Sequence, residues 1–229
     1  MVPYKMYART YVFGTNSQKL NTNSRSREIM VTGEHLYDVE SGYGFVTEEN
    51  FRKEELLQMP ELGTGFIPMY SKGDEQITHI LTDDMGCYVE QENDNIPLCF
   101  RADVDRCGNY QVSVEYQAAG DVMIFTGPRR LVYRSSAKGQ KQALNLVLNV
   151  CDIIPMGKYC IYERKSIDIA LLGKGIHLCR INIKQTNCPT IYIAGDSTVN
   201  DQATFYPYHP EVSFGGWGQM LPNYLNGRI

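Results

Sequence analysis

The sequence has no Cys-x-x-Cys pair, no excess of positive charge, and no apolar run near the ~18 residues that a membrane span requires. The seven cysteines stand at positions 87, 99, 107, 151, 160, 179 and 188, an odd number. A zinc knuckle needs two ligands on one tight turn, and none of these spacings supplies them. A disulfide framework has no secretion signal to support it, so thiols, mostly buried and in a reducing cytosol, are expected. The start, Met1-Val-Pro-Tyr-Lys-Met-Tyr-Ala-Arg-Thr10, has no apolar h-region. No signal peptide is therefore read, and a cytoplasmic location is expected. Lys plus Arg is 22 and Asp plus Glu is 26, a formal charge of −4 that argues against a nucleic-acid partner. No internal repeat or low-complexity segment is visible. What remains is ordinary for a core-forming globular chain of 229 residues: 43% hydrophobic and 21% charged.

Most of the chain carries the period of two that marks half-buried strands. Tyr110, Val112, Val114 and Tyr116 alternate with Gln111, Ser113, Glu115 and Gln117. Leu98, Phe100 and Val104 share a face, as do Leu144, Leu146, Leu148 and Val150. Cys179, Ile181 and Ile183 alternate with Arg180, Asn182 and Lys184. Shorter candidates are Val122–Phe125, Leu131–Arg134, Cys160–Glu163 and Ile167–Leu171. Gly- and Pro-bearing turns separate them, such as Cys107-Gly-Asn109, Ala119-Gly-Asp121 and Leu172-Gly-Lys-Gly175. Many short strands with such punctuation predict a mainly β chain folded as an antiparallel sandwich over roughly residues 1–186. One helix is expected near Glu48–Gln58.

The pattern changes at Thr186-Asn-Cys-Pro189. Pro189 breaks strand pairing. Thr190-Ile-Tyr-Ile-Ala194 then forms a continuous apolar run of the kind buried on both faces of a parallel sheet. Further on, Trp217, Met220, Leu221, Tyr224 and Leu225 make one apolar helical stripe, interrupted by Pro222, which costs a helix interior about 3 kcal/mol. That helix must begin late or kink. Strand, turn and helix together begin an α/β unit.

Between them lies Gly195-Asp-Ser-Thr198. All of its first three residues favour turns, so a simple turn is one reading. The other is chemical. A serine immediately after a buried strand lies at the carboxyl edge of a sheet, where open α/β folds place active sites. Its hydroxyl can be exposed there while its own N–H points at a bound oxyanion. The Gly-x-Ser-x-Gly elbow is absent because Val199 holds its last position. Asp196 and Asp201 suit capping or holding the turn better than direct catalysis.

Thr190-Ile-Tyr-Ile-Ala-Gly-Asp-Ser-Thr-Val-Asn-Asp-Gln202, followed by Gly216-Trp-Gly-Gln-Met-Leu-Pro222, resembles the first block of SGNH (GDSL-type) hydrolases, and within them the rhamnogalacturonan acetylesterase branch. The preceding part resembles the galactose-binding-like, jelly-roll sandwich found ahead of some such esterases, through Tyr11-Val-Phe-Gly14, Gly42-Tyr-Gly-Phe45, Gly108-Asn-Tyr-Gln-Val112 and Arg129-Arg-Leu131. The resemblance implies a sandwich followed, over 187–229, by the truncated start of a flavodoxin-like α/β domain. It implies removal of O-acetyl groups from pectic polysaccharide, with Ser197 as nucleophile and backbone oxyanion donor and Gly195, Asp196 and Thr198 as its supporting turn. No cofactor, metal or membrane is implied. The family takes its other oxyanion donors from a later glycine and asparagine, and its base from a late Asp-x-x-His block. None of the four histidines here has an aspartate three residues before it. The resemblance thus implies the amino-terminal portion of an enzyme, inactive without its missing carboxyl-terminal part. Residues 187–229 cannot close an α/β domain, so the tail after Pro189 is expected to lean on the sandwich or be poorly ordered.

Other residues carry weaker alternatives. His209, in the proline-framed Pro207-Tyr-His-Pro210, reads as a loop or substrate-rim residue before a base. His35, His79 and His177 read as structural or surface residues. Trp217 suits a core position, with an active-site wall as the alternative. The acidic stretch Asp74–Pro97 reads as a solvated loop before a calcium site. Arg129 and Arg130 read as strand-surface residues or a contact to the esterase part before galacturonate ligands. Two further functions stay open: a non-catalytic sandwich that binds glycan or is merely structural, and an SGNH esterase for another acyl substrate.

Overall fold

The computed structural model describes residues 6–15, 27–46, 80–89, 97–126, 130–136, 139–151, 165–196, 198–199 and 217–225. The expected helix at Glu48–Gln58, the strand at Cys160–Glu163 and His79 lie outside the described residues. The described chain is mainly β. Its strands are β1 (Ala8–Phe13), β2 (Arg27–Val31), β3 (Tyr43–Phe45), β4 (Ile80–Thr82), β5 (Cys87–Val89), β6 (Leu98–Asp103), β7 (Gly108–Gln117), β8 (Asp121–Thr126), β9 (Arg130–Ser136), β10 (Lys141–Val150), β11 (Ser166–Gly173) and β12 (His177–Thr186).

They form two sheets. One has the order β10-β7-β12-β1-β2, with β5 also on β12 and β4 on β5; the other has the order β3-β6-β11-β8-β9. Rings from both sheets meet between them: Phe100 of β6 lies 5.0 Å from Tyr11 and 4.9 Å from Phe13 of β1. β7 follows its alternation, with Tyr110, Val112, Val114 and Tyr116 buried and the intervening polar residues outward. It is held on both sides by long antiparallel ladders to β10 and β12.

Two details correct the sequence reading. The sandwich is not wholly antiparallel, because β1 and β2 pair in parallel, Arg9 opposite Arg27 through Phe13 opposite Val31. A parallel neighbour needs a crossover of about a dozen residues or more, and residues 14–26 supply that length. The second concerns Cys179. Its spacing placed it on the face of Ile181 and Ile183, but the register shifts between Leu178 and Arg180. The bulge takes one residue out of the alternation, and Leu178 enters the core instead.

The outer face of the second sheet is buried as well. On β11, Ile167, Ile169 and Leu171 point into the main core, yet Asp168, Ala170 and Leu172 are also buried. Ala170 and Leu172 pack with Val46, Cys99 and Phe125 in a second apolar cluster. Beside it, Arg101 and Asp168 face each other across the β6–β11 ladder. Arg101 Nε and Nη2 donate to the two Asp168 carboxylate oxygens at 2.8 and 3.2 Å. The Tyr37 ring covers the guanidinium at 4.8 Å, and its hydroxyl donates to Asp103 at 3.2 Å.

Candidate functional site

β12 ends at Thr186, and the chain then leaves the sheet. The apolar run after Pro189 joins no strand among the described residues. Ile191 and Ile193 are about half exposed and Tyr192 is 92% exposed. This corrects the expected buried strand. A run buried on both faces needs sheet neighbours on each edge and layers on each side, and the sandwich offers it neither. The run is instead tethered at its start. Asn109, at the head of β7, donates from Nδ2 to the Cys188 carbonyl at 3.2 Å and to Thr190 Oγ1 at 3.0 Å. Its own Oδ1 accepts from Asn149 at 2.7 Å, which fixes its orientation.

The turn that follows is closed by its own side chain. Asp196 Oδ1 accepts from the Thr198 N–H at 2.9 Å and from Thr198 Oγ1 at 2.7 Å. The Val199 N–H donates to the Asp196 carbonyl at 3.0 Å. These bonds to the charged carboxylate hold its pKa below the ordinary 3.8, the Thr198 hydroxyl first and the Thr198 N–H second. The carboxylate is therefore engaged in holding the turn.

A distant segment seats on this turn. The Trp217 N–H, which opens helix α1 (Trp217–Met220), donates to the Thr198 carbonyl at 2.8 Å. A 3-10 turn, Leu221–Tyr224, follows with Pro222 inside it. The α-helix ends before the proline because the ring disfavours helical geometry in Leu221, the residue preceding it. Two glycines allow the close approach. A Cβ on Gly195 would overlap the Val199 side chain, and one on Gly218 would overlap the Val199 carbonyl. Val199 is thus gripped between the two blocks, a role its position in the sequence did not suggest. Asn109 was likewise missed, since nothing in its local pattern marks it as a tether. The Gly-x-Gly of Gly216-Trp-Gly218 was the one available signal of close packing.

Trp217 is 55% exposed and Tyr224 is 79% exposed, so the helical stripe does not bury itself as a core. Helix α1 lies beside β9, and Trp217, whose backbone N–H seats on the turn, is open to solvent. Ser197, His209, Asp201 and Arg129 lie outside the described residues, as do the side chain of Arg130 and most of the acidic stretch. Within that stretch Asp83 is described, and it holds a turn: its Oδ1 accepts from the Met85 and Gly86 N–H groups at 2.8 and 3.0 Å. His177 Nε2 lies 3.2 Å from its other oxygen, and the imidazole lies against the Tyr88 ring at 4.6 Å, tilted by 36°. His35 Nδ1 accepts from the Thr32 N–H at 3.0 Å. No cluster of three metal-ligating side chains occurs among the described residues.

No family model matches the chain, and no curated protein matches it. Among solved structures it is similar to protein YxiM from Bacillus subtilis, at 20% identity and a TM-score of 0.43, over 96% of this chain and 52% of that one. It is also similar to a ruminal GH26 endo-β-1,4-mannanase, at 14% identity and a TM-score of 0.25, over 79% of this chain and 31% of that one. The chain thus spans about half the length of the first and about a third of the second.

Proposed function

We propose that the chain is the amino-terminal part of a serine carbohydrate esterase that removes O-acetyl groups from pectic rhamnogalacturonan. Ser197 is its nucleophile. The observation that carries this reading is the closure of Gly195–Val199 on itself and on Trp217-Gly218. A turn that serves only to reverse the chain has no need of a second segment seated against it with no room for a Cβ on either side. The same two segments carry the resemblance to SGNH hydrolases.

In the reaction, the Ser197 hydroxyl attacks the acetyl carbonyl and loses its proton to a base. The sugar hydroxyl leaves with a proton, and water then hydrolyses the acetyl-serine to acetate. The Ser197 N–H, with donors from a glycine and an asparagine beyond these residues, receives the oxyanion. Asp196, engaged by Thr198, positions the turn and takes no proton. A serine hydroxyl without a base is a weak nucleophile, so the chain by itself is a poor esterase. The exposed aromatic rings among the described residues, Tyr192, Trp217 and Tyr224, all follow β12, which favours a substrate surface at the turn over one on the sandwich.

The test is acetate release from acetylated rhamnogalacturonan by a polypeptide continuing from residue 229 through an Asp-x-x-His block. Release that vanishes in Ser197→Ala supports the reading. Release unaffected by that change, or none from the extended protein, overturns it. Faster release from acetylxylan or a short-chain lipid ester moves the substrate class and leaves the serine chemistry in place.

A further inference from the structure

The ladders on either side of β7 end beside a set of thiols. β7 and β10 pair as far as Gly108 opposite Val150, and β7 and β12 as far as Asn109 opposite Thr186. Cys107 precedes Gly108 and Cys151 follows Val150, so each cysteine lies one residue beyond the last opposed pair of one antiparallel ladder. Cys188 lies two residues past Thr186, and its carbonyl is held by the Asn109 side chain at 3.2 Å. Cys107, Cys151 and Cys188 are all reduced; Cys151 is exposed and the other two are partly so. Cys87, Cys99 and Cys179 are buried. Burial pushes the Cys87 thiol up to about 11 and the Cys179 thiol also upward, which keeps both protonated and inert. Among the described cysteines, thiol chemistry therefore concentrates at this one end of the sandwich.

We propose that Cys107 is the shared partner of an exchangeable disulfide, joined to Cys151 across the strand ends on oxidation and passed to Cys188 by exchange. Continuing that ladder by one pair brings their Cα atoms to about 4.5–5.5 Å, within the roughly 4.4–6.8 Å that a disulfide spans. The oxidant is a small-molecule disulfide. The Cys107 thiolate attacks it, forming a mixed disulfide and releasing one thiol. The Cys151 thiolate then displaces the second, so two protein thiols lose two protons and two electrons and two small thiols form. In the exchange step the Cys188 thiolate attacks the Cys107 sulfur, the Cys107–Cys151 bond breaks, and the Cys151 thiolate leaves. The Cys107–Cys188 bond ties the segment leading to Gly195–Thr198 to the sandwich, in covalent support of the Asn109 tether.

The experiment treats the whole chain with excess oxidised glutathione, alkylates remaining thiols and maps peptides without reduction. The wild-type chain is expected to give the Cys107–Cys151 link first and the Cys107–Cys188 link growing at its expense with time, and Cys151→Ser the Cys107–Cys188 link alone. Cys107→Ser gives neither, with an unchanged far-ultraviolet CD spectrum as the control for folding. Recovery of wild-type Cys107 mainly as an alkylated thiol or a glutathione adduct overturns the proposal, as does a dominant Cys151–Cys188 link or a dominant cross-link between chains.

Discussion

The Trp217 N–H donates to the Thr198 carbonyl at 2.8 Å, and that bond joins two segments whose intervening residues are mostly undescribed. It also places the chain's single tryptophan beside the turn, about half exposed. Docking of the tail can thus be followed by the emission of one tryptophan, excited at a wavelength that the sandwich tyrosines do not absorb.

Gly218→Ala tests the grip on Val199. The new Cβ meets the Val199 carbonyl, a backbone atom that cannot rotate away. Overpacking of this kind costs roughly 1–3 kcal/mol, here charged to the docking of α1 and not to the sandwich. The expected outcome is red-shifted tryptophan emission and easier acrylamide quenching, with the main thermal transition unchanged. A fall in that transition would mean that the tail is integral to the sandwich core.

Acid should undo the same contact. The folded pKa of Asp196 is depressed, so the hold on the turn is complete above the ordinary 3.8 and is lost as the pH falls through the lowered value. Tryptophan quenching should therefore rise at the acid end of the carboxylate range, below the pH at which an unpaired aspartate titrates. Asp196→Asn should show the looser state at neutral pH and no acid step. An acid step retained in that variant would place the titrating group elsewhere.

These tests concern the part of the molecule least legible in the sequence. β7 and β10 could be read because each has one wet face and one dry face, so polarity tracks direction. β12 defeated the same reading at Cys179, since a bulge changes phase without changing composition. β6 and β11 hid more. Arg101 and Asp168 look like solvent-facing residues of alternating strands, yet both are buried, because each neutralises the other on a face that is covered. The run Ile191–Ile193 failed for the opposite reason: its apolarity matches a buried strand, but burial depends on neighbours that residue pattern alone cannot supply. The turn at Gly195–Thr198 was legible because its bonds are local. Its seating on Trp217 was not, because the partners lie far apart in the chain.

Removing half of the Arg101–Asp168 pair should be among the most costly changes in the sandwich. Arg101 is 1% exposed and Asp168 5%, so the pair is withdrawn from water. Asp168→Ala removes the carboxylate that accepts two of the guanidinium's hydrogen bonds, a loss of about 3–5 kcal/mol in urea unfolding. The double change Arg101→Met with Asp168→Leu should recover most of it, since an apolar pair of similar volume adjoins the cluster of Cys99 and Ala170. If the single and double variants lose equal stability, the cost lies in packing and not in charge.

The alkaline limit of the sandwich should carry the signature of Cys87. Burial raises this thiol from its ordinary 9.0 to about 11. A raised acid favours the folded state at low pH only in the sense that it does not oppose it: below 9.0 the thiol is protonated in both states and its contribution to stability is constant. Above that value the unfolded chain gains from ionisation and the folded chain does not. Stability should therefore fall between about pH 9 and 11, by roughly 1.4 kcal/mol per pH unit from this group alone. Cys87→Ala removes the proton and leaves only a small void in a site lined by the main core. Its urea midpoint should decline less steeply over that window than the wild type's, while the two coincide in shape below it. Equal slopes would mean that Cys87 ionises as readily in the folded chain as in the unfolded one, and that its site is wetter than its burial indicates.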